Sequence, residues 1–455
     1  MNFFLENLGS QIGLGALPIA FWSLILLLPL GFLLSLGRRL EPAIRLEKLG
    51  IPIALLVGGI ALFLGPHGFL PLMPQGVANI WEKLPTPLLT LIFASLMLGR
   101  PLPNLKGLWK PVASQAFLGL VLGFGQYFVG GLVVLYFLIP NLGVDPLMAC
   151  LIEVGFEGGH GAAAVMAESF SDLGFESGAD LGLAMATVGL LSSTLFGTLL
   201  VVIGRWRKWF VPETESKVVL NEDVDERFDF ADRLKQLSIN FALVGIAVLF
   251  GFSMVSFLQL LSTSWGGIYQ DVFGSFPVFP FALIGSFLVR KLLELTEKTS
   301  LVSQLLQREI GTLSTDLLII TAMASLNLPL LINDWIPILI LSCAGLLWNL
   351  LGILLISRLL IRQEWFERSI TEFGNATGVA ASGLLLLRLS DPRNVTNALP
   401  IFSIKQLFLQ PLLSGGIVTV IAPLLLTRFG LREWTEFSGA LTLVFVFLAF
   451  LVQED

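Results

Sequence analysis

Long apolar runs recur along the chain at about 12–36, 51–70, 85–99, 112–139 and 179–204, and again at about 237–262, 277–290, 311–332, 335–360 and 394–426. A shorter one follows at about 438–452. The hydrocarbon core of a bilayer takes roughly 20 apolar residues to cross as a helix, and these runs recur near that length. They are continuous rather than alternating, which predicts α-helices and argues against a β-barrel of ten-residue strands. Between the two sets of five lies a polar stretch from Arg205 to Lys235, with Glu213, Glu215, Glu222, Asp223, Asp225, Glu226 and Asp229 among its charges, which reads as a solvated linker. The expected fold class is an all-α polytopic membrane protein with about ten to eleven transmembrane helices.

Between the fourth and fifth runs of each set the pattern breaks in the same way. The first stretch reads Glu153-Val154-Gly155-Phe156-Glu157-Gly158-Gly159-His160-Gly161-Ala162 and closes at Ser171-Asp172. The second reads Glu372-Phe373-Gly374-Asn375-Ala376-Thr377-Gly378-Val379-Ala380-Ala381 and closes at Ser390-Asp391. An offset of 219 positions superimposes Glu153 on Glu372, Gly155 on Gly374, Gly159 on Gly378, Ala162 on Ala381, Ser171 on Ser390 and Asp172 on Asp391. Apolar segments broken by glycine, at Gly158-Gly159 and at Thr377-Gly378, can dip into a membrane and return. Such backbone is tolerated at membrane depth only where protein or a water-filled cavity covers it. The two stretches are therefore expected to be re-entrant hairpins at about 145–172 and 369–391. The chain divides into an N-terminal repeat, 1–204, a cytoplasmic linker, 205–236, a C-terminal repeat, 237–427, and a C-terminal extension, 428–455, with one possible extra helix. Phe93-Ala94-Ser95-Leu96 against Met323-Ala324-Ser325-Leu326, and Gly197 against Gly416, are weaker echoes of the duplication.

Composition agrees with the membrane reading: the 455 residues are 55% hydrophobic and 13% charged, with a mean hydropathy of +0.85, against about 25% charged in soluble domains. Charge placement sets the orientation. With an external N-terminus, the loops expected inside hold Arg38, Arg39, Arg45, Lys48, Arg100, Lys106 and Lys110, then the basic residues of the linker, then Arg290, Lys291, Lys298, Arg308, Arg358, Arg362, Arg368, Arg388 and Arg393. The loops expected outside hold Lys83, Arg428 and Arg432. This follows the positive-inside rule. It starts the first hairpin from the outside and the second from the cytoplasm, and five spans per half then make the halves an inverted repeat. The residues Met1 to Gln11 lack the basic leader of a cleaved signal peptide, so the first run is expected to be retained. Cys150 and Cys343 belong to no CxxC or Cys/His cluster and read as packing residues.

The motif Gly-Gly-His-Gly-Ala at 158–162, with Glu372 to Gly378 and then Gly383-Leu384-Leu385-Leu386-Leu387-Arg388, resembles the sodium–glutamate symporter family of bacteria. The resemblance runs from about residue 20 to 427. It implies ten spans with two oppositely oriented re-entrant hairpins, a homodimer in the bacterial inner (plasma) membrane, and uptake of L-glutamate driven by sodium through an elevator-like movement. The segment 438–452 is an addition to that plan.

The chemistry that such a cargo needs selects candidate residues. Glutamate carries two carboxylates, which suit helix N-termini with their unpaired N–H groups. Gly158, Gly159, Gly161 and Ala162 would let backbone approach it; Thr377, Gly378 and Ser382 lie at the second tip. His160 can bond a carboxylate, titrate near neutrality or brace its hairpin. Lys405 falls near mid-membrane and pairs either with substrate or with a protein acid. Sodium wants oxygen ligands, for which the candidates are Asn375, Thr377, Glu153, Asp316, Gln126 and Asn349. Intramembrane acids such as Glu153 and Glu157 default to function, although Glu153 and Glu372 also fit hairpin mouths in water. Gln126 and Asn349 can line a cavity or join helices. One division of labour is that the first tip holds the anion and the second the sodium.

No phosphate loop accompanies these residues, which leaves ion gradients as the energy source. A carrier of the same fold for aspartate or another small carboxylate, or one coupled to protons, remains open. A channel or an intramembrane enzyme is remote: the two tips differ, and His160 with Glu157 and Asp172 has no HExxH pair or nucleophile elbow beside it. Membrane lipid is an expected partner and nucleic acid is not.

Overall fold

The computed structural model describes residues 31–39 in part, 53–65, 68–71, 80–99 apart from 82, 108–210, 230–265, 276–324, 334–392 and 395–452. The first expected span, 12–36, lies almost wholly outside these residues, as do linker residues 211–229, His67, and the loop charges Arg38, Arg45, Lys48, Arg100, Lys106 and Arg393. Regular structure among the described residues is entirely helical. In chain order the helices are α1 (Ile53–Leu64), α2 (Pro85–Leu96), α3 (Trp109–Leu142), α4 (Leu151–Phe156), α5 (Gly159–Asp172), α6 (Gly178–Arg207), α7 (Phe230–Trp265), α8 (Val278–Leu295), α9 (Gln304–Ala324), α10 (Trp335–Leu360), α11 (Trp365–Ser390), α12 (Ala398–Leu409), α13 (Ile417–Phe429) and α14 (Leu431–Leu451). Among the described residues, six stretches are long and apolar enough to cross a membrane: α3, α6, α7 as Leu234–Ser262, α10, α11 and α14. The chain is a multi-pass membrane protein.

The helices sort into two packed groups. Helices α2, α7, α8 and α9 pack on one another around Ala94, Leu98, Val244, Ala247 and Ala282, and α1 joins this group by packing on α9. The remaining helices, α3 to α6 and α10 to α14, form the second group. Each half of the chain thus gives its early helices to the first group and its later ones to the second. Among the described residues, the main contact between the groups is made by α5, which lies against α2 and α9. There Gly161 faces Leu89 of α2 and Leu318 of α9, and its missing side chain allows the approach.

Two features of the second group repeat. Both α3 and α10 carry a five-residue π-helical turn near the C-terminal end, at Val134–Leu138 and Gly352–Ile356. Such turns are rare and tend to mark functional sites. Both glycine-rich stretches are also broken where the sequence says they should be. The first breaks between α4 and α5, at Gly159, whose φ of +67° is free of strain only for glycine. The second breaks inside α11, at Gly378 (φ −150°) and Val379 (φ 64°, ψ 171°). Beyond that break the two arms of α11 face each other: a side chain on Gly374 would sit 2.5 Å from the Gly383 Cα.

Helix α6 works as a ruler for both stretches. Its Gly178 faces Phe170, Gly182 faces both Val154 and Ala163, and Gly189 faces Phe156 and the Thr377 carbonyl. Further along, Ser193 lies at Gly378, Gly197 at Leu386 and Gly204 at Phe366. The first stretch therefore covers the N-terminal part of α6, the second covers the C-terminal part, and their breaks meet at Gly189. That point is eleven residues from Gly178 and fifteen from Gly204, or about 16 and 22 Å along the axis at a rise of ~1.5 Å per residue.

One expectation needs correction. The apolar run 394–426 is not one span. It divides into α12 and α13 around a turn in which Ser414 (φ 58°) and Gly415 (φ +89°) take left-handed conformations. At 33 residues the run is longer than a crossing requires, and Pro411, Ser414, Gly415 and Gly416 interrupt its helical pattern. The second glycine-rich stretch, expected at about 369–391, lies within a helix of nearly those bounds. Helix α11 starts at Trp365, where Trp365 and Phe366 cluster with Trp209 and Phe210 and the Arg358 guanidinium stacks over Trp209 and Trp365. The extension at 438–452 belongs to α14, which starts at Leu431 and lies along α3.

Candidate functional site

Three interruptions of helix meet inside the second group. Gly159 touches Val379, so the two breaks are in direct contact. Gly415, in the turn between α12 and α13, lies against Ala162 at the start of α5. Helix α5 begins at this junction, and so does the second arm of α11. Two helix N-termini, each with unpaired N–H groups and a positive dipole end, therefore converge on one place. Val379 marks it further. A β-branched residue with φ 64° and ψ 171° occupies a region that is essentially glycine's own, at a cost of order 1–3 kcal/mol.

Around the second break the polar side chains are tied to one another. Gln126 donates its amide to Asn349 Oδ1 at 3.2 Å and to the Ala376 carbonyl at 2.6 Å. Asn349 donates to the same carbonyl and to Thr377 Oγ1, both at 3.0 Å. Both side chains thus donate to the one Ala376 carbonyl near the end of the first arm, and each gives a second bond to a side-chain oxygen. They brace the tip and link α3 to α10. Ser193 of α6 donates to the Gly374 carbonyl at 3.4 Å. Gln126 Oε1, Asn375 Nδ2 and Ser382 Oγ are buried atoms in this region without a hydrogen-bond partner. Asn375 is held through Oδ1, which accepts from Gln406 at 2.8 Å.

The charges of the second stretch are neutralised inside the protein. Lys405 and Glu372 are both fully buried, and Lys405 Nζ donates to Glu372 Oε1 at 2.6 Å. Lys405 also donates to Gln406 Oε1 at 2.9 Å. Gln115 of α3 donates to Glu372 Oε2 at 2.8 Å, and Arg368 Nε donates to Gln115 Oε1 at 3.2 Å. Of the two pairings open to Lys405, the protein acid is the one present. Glu372 is not at a mouth in water, because the first arm of α11 begins two turns before it.

The first stretch is arranged differently. Glu153 is fully buried too, so its expected place at a mouth is also wrong. Its carboxylate accepts from Tyr127 Oη at 2.6 Å, Thr419 Oγ1 at 2.8 Å and the Ser414 N–H at 3.2 Å. Glu157, 1% exposed, accepts from Ser414 Oγ at 3.1 Å, and its Oε2 has no partner. His160 is buried and lies 3.1 Å from Thr187 Oγ1 on α6. Among the described residues no group of three or more His, Cys, Asp or Glu is placed to hold a metal ion. Asp316 is half-buried on α9, in the first group of helices.

The geometry thus brings together Gly158, Gly159, His160, Gly161, Ala162, Thr377, Gly378, Ser382, Asn375, Gln126 and Asn349, with Glu153 and Lys405 close behind. Sequence reading did not single out Val379, Tyr127, Gln115, Arg368, Gln406, Ser414 or Thr419 for the site. The signals for two of them, Ser414 and Gln115, were legible. Ser414 sits in the Pro-Leu-Leu-Ser-Gly-Gly interruption of an over-long apolar run. Gly119 and Gly123, one turn apart on α3, give room respectively to the Lys405–Glu372 pair and to Glu157, and Gln115 lies a turn before them on the same face.

Comparison with known proteins places the chain. The sodium/glutamate symporter family model matches residues 22–363, three quarters of the sequence. The protein belongs to the sodium/glutamate symporter family, a family of membrane transporters. No curated protein matches it. Among solved structures it is similar to the sodium proton antiporter MjNhaP1 from Methanocaldococcus jannaschii, at 17% identity and a TM-score of 0.42, over 89% of this chain and 99% of that one. The second glycine-rich stretch, 372–391, lies beyond the matched range, and its assignment to the site rests on its contact with the first.

Proposed function

We propose that the protein is a sodium-coupled secondary carrier that imports L-glutamate across the bacterial inner membrane. The observation that carries this reading is the convergence of two helix N-termini at the Gly159–Val379 contact. Backbone N–H groups there favour carboxylates without a bound counter-charge. Gly158, Gly159, Gly161 and Ala162 expose backbone to the anion, His160 flanks it, and Thr377, Gly378 and Ser382 complete the opposite side. Lys405 acts through Glu372, fixing the arm that bears the second tip.

In this reading the two broken elements are re-entrant hairpins entering from opposite faces, and the halves are inverted repeats. The matched π-helical turns of α3 and α10 and the placement of the two stretches at opposite ends of α6 support it. The sorting of helices into two groups, joined mainly through α5, supports an elevator-like movement of the hairpin-bearing group against the other. A homodimer is part of this reading.

The test is equilibrium binding of labelled L-glutamate to the purified protein at varied sodium, with aspartate, 2-oxoglutarate and citrate as competitors. Glutamate affinity that rises with sodium, and that the other anions do not match, is expected. Affinity that ignores sodium would remove the coupling, and preference for another anion would replace the substrate.

A further inference from the structure

Glu153 and Glu157 are the two buried carboxylates of the first stretch, and neither forms an ion pair with Lys or Arg among the described residues. They are not equivalent. Glu153 receives three hydrogen bonds, which is enough to hold a carboxylate in protein. Glu157 receives one, and its Oε2 is a fully buried oxygen without a partner. An ionised carboxylate left like that is too costly to persist without a positive charge beside it. The buried Lys405 is committed to Glu372.

The polar atoms bonded around the two acids are mostly oxygens, with Leu413 packed alongside and the Lys405 charge within electrostatic reach of Glu157. Ser414 Oγ bonds it, Thr419 Oγ1 bonds Glu153 next to it, and the left-handed turn at Ser414 and Gly415 aims this hydroxyl and its N–H at the two acids. On α3, the missing side chain of Gly123 lets the helix approach Glu157 closely: a Cβ there would lie 2.8 Å from Leu413 Cδ1 and 2.9 Å from Glu157 Oε2. Hard cations take oxygen ligands of this kind. Since the charge of Glu153 is already met by donors, one positive charge is missing, not two.

We infer that the turn at 410–416 and the first glycine-rich stretch together form a sodium site, with Glu157 as its charged ligand and the hydroxyls of Ser414 and Thr419 as neutral ones. This inference rests on the sodium-coupled reading above and locates the ion at the first tip rather than the second. It also gives a physical reason for coupling. Gly415 touches Ala162, at the N-terminus proposed to hold the anion, so a cation here lowers the cost of placing a carboxylate there, and the reverse holds by linkage.

The test is the midpoint of the sodium-induced rise in melting temperature of the purified protein, measured without glutamate, with choline as the control salt. Wild type is expected to show a saturable rise, with the midpoint moved at least tenfold higher in Glu157→Gln and clearly higher in Gly123→Ala. Gly123→Ala keeps both acids and carries the test if Glu157→Gln does not fold. Equal midpoints in wild type and variants, or a wild type indifferent to sodium, would overturn the site. Melting that follows pH and not sodium would make the occupant a proton and overturn it likewise. Sodium-driven glutamate uptake with an unchanged sodium midpoint in Glu157→Gln would remove this site alone. Sodium binding through Glu157 without any glutamate transport would keep the site and remove the reading it rests on.

Discussion

The two glycine-rich stretches are similar in sequence and opposite in electrostatics. In the second, every charge near the tip has a protein partner: Lys405 meets Glu372, and Gln115 ties Glu372 to Arg368. In the first, two acids lie near the tip with hydroxyls and an N–H around them and, among the described residues, no ion-pair partner of their own. The difference teaches where a carrier keeps fixed charge and where it leaves charge to be met by cargo. A buried pair with its own hydrogen bonds is a structural joint. A buried acid with an orphan oxygen is a demand for an ion.

The largest effect expected from breaking this arrangement is at the contact between the two tips. Gly159→Val places a branched side chain at φ +67° and against Val379. Uptake in proteoliposomes should fall to background while insertion, judged by monodisperse elution, is kept; normal uptake would show that the tips do not form the site. Next comes the joint itself. Lys405→Met leaves Glu372 buried and uncompensated, at a cost of about 3–5 kcal/mol. The melting temperature should drop sharply and recover in Lys405→Met/Glu372→Met, because an apolar pair of similar volume removes the stranded charge. Failure to recover would mean Lys405 has a second task, such as touching substrate.

A smaller effect separates the two stretches further. Tyr127→Phe removes one of the three donors of Glu153, worth about 1.5–3 kcal/mol for a bond to a charged group. It should raise the sodium needed for half-maximal uptake more than it raises the glutamate needed. Gln126→Leu, at about 1 kcal/mol, loosens the brace on the Ala376 carbonyl and should do the opposite. The same ratio in both variants would erase the proposed division between an ion side and a tip side. The smallest effect is expected at His160, which is buried against Thr187. His160→Gln should leave the pH profile of uptake between pH 6 and 8 in place, and a shifted profile would mean that the imidazole changes charge during transport.

Much of the architecture was legible in the chain. Apolar run lengths gave the α3, α6, α7 and α10 spans within a few residues, and the 219-residue offset paired two elements that prove to touch. What was not legible has a common cause. Hydropathy alone reads membrane depth but not direction, so 394–426 looked like one crossing although its length and the Pro411 to Gly416 interruption signalled a break. It also cannot tell an acid facing water from one buried in a network, which is why Glu153 and Glu372 fitted hairpin mouths. Their partners, Tyr127 and Gln115 on α3 and Thr419 on α13, come from distant parts of the chain, and no local pattern announces them. Gln126 and Asn349 were visible as polar residues in apolar spans, yet only the geometry shows their N–H groups turned onto the Ala376 carbonyl.

The central claim is that sodium and a dicarboxylate amino acid are carried together at the junction of the two tips. It is tested most directly by uptake of labelled L-glutamate into proteoliposomes with and without an inward sodium gradient, at equal membrane potential. Accumulation above the external concentration only when the gradient is present is the predicted result. Equal uptake in its absence would contradict the account.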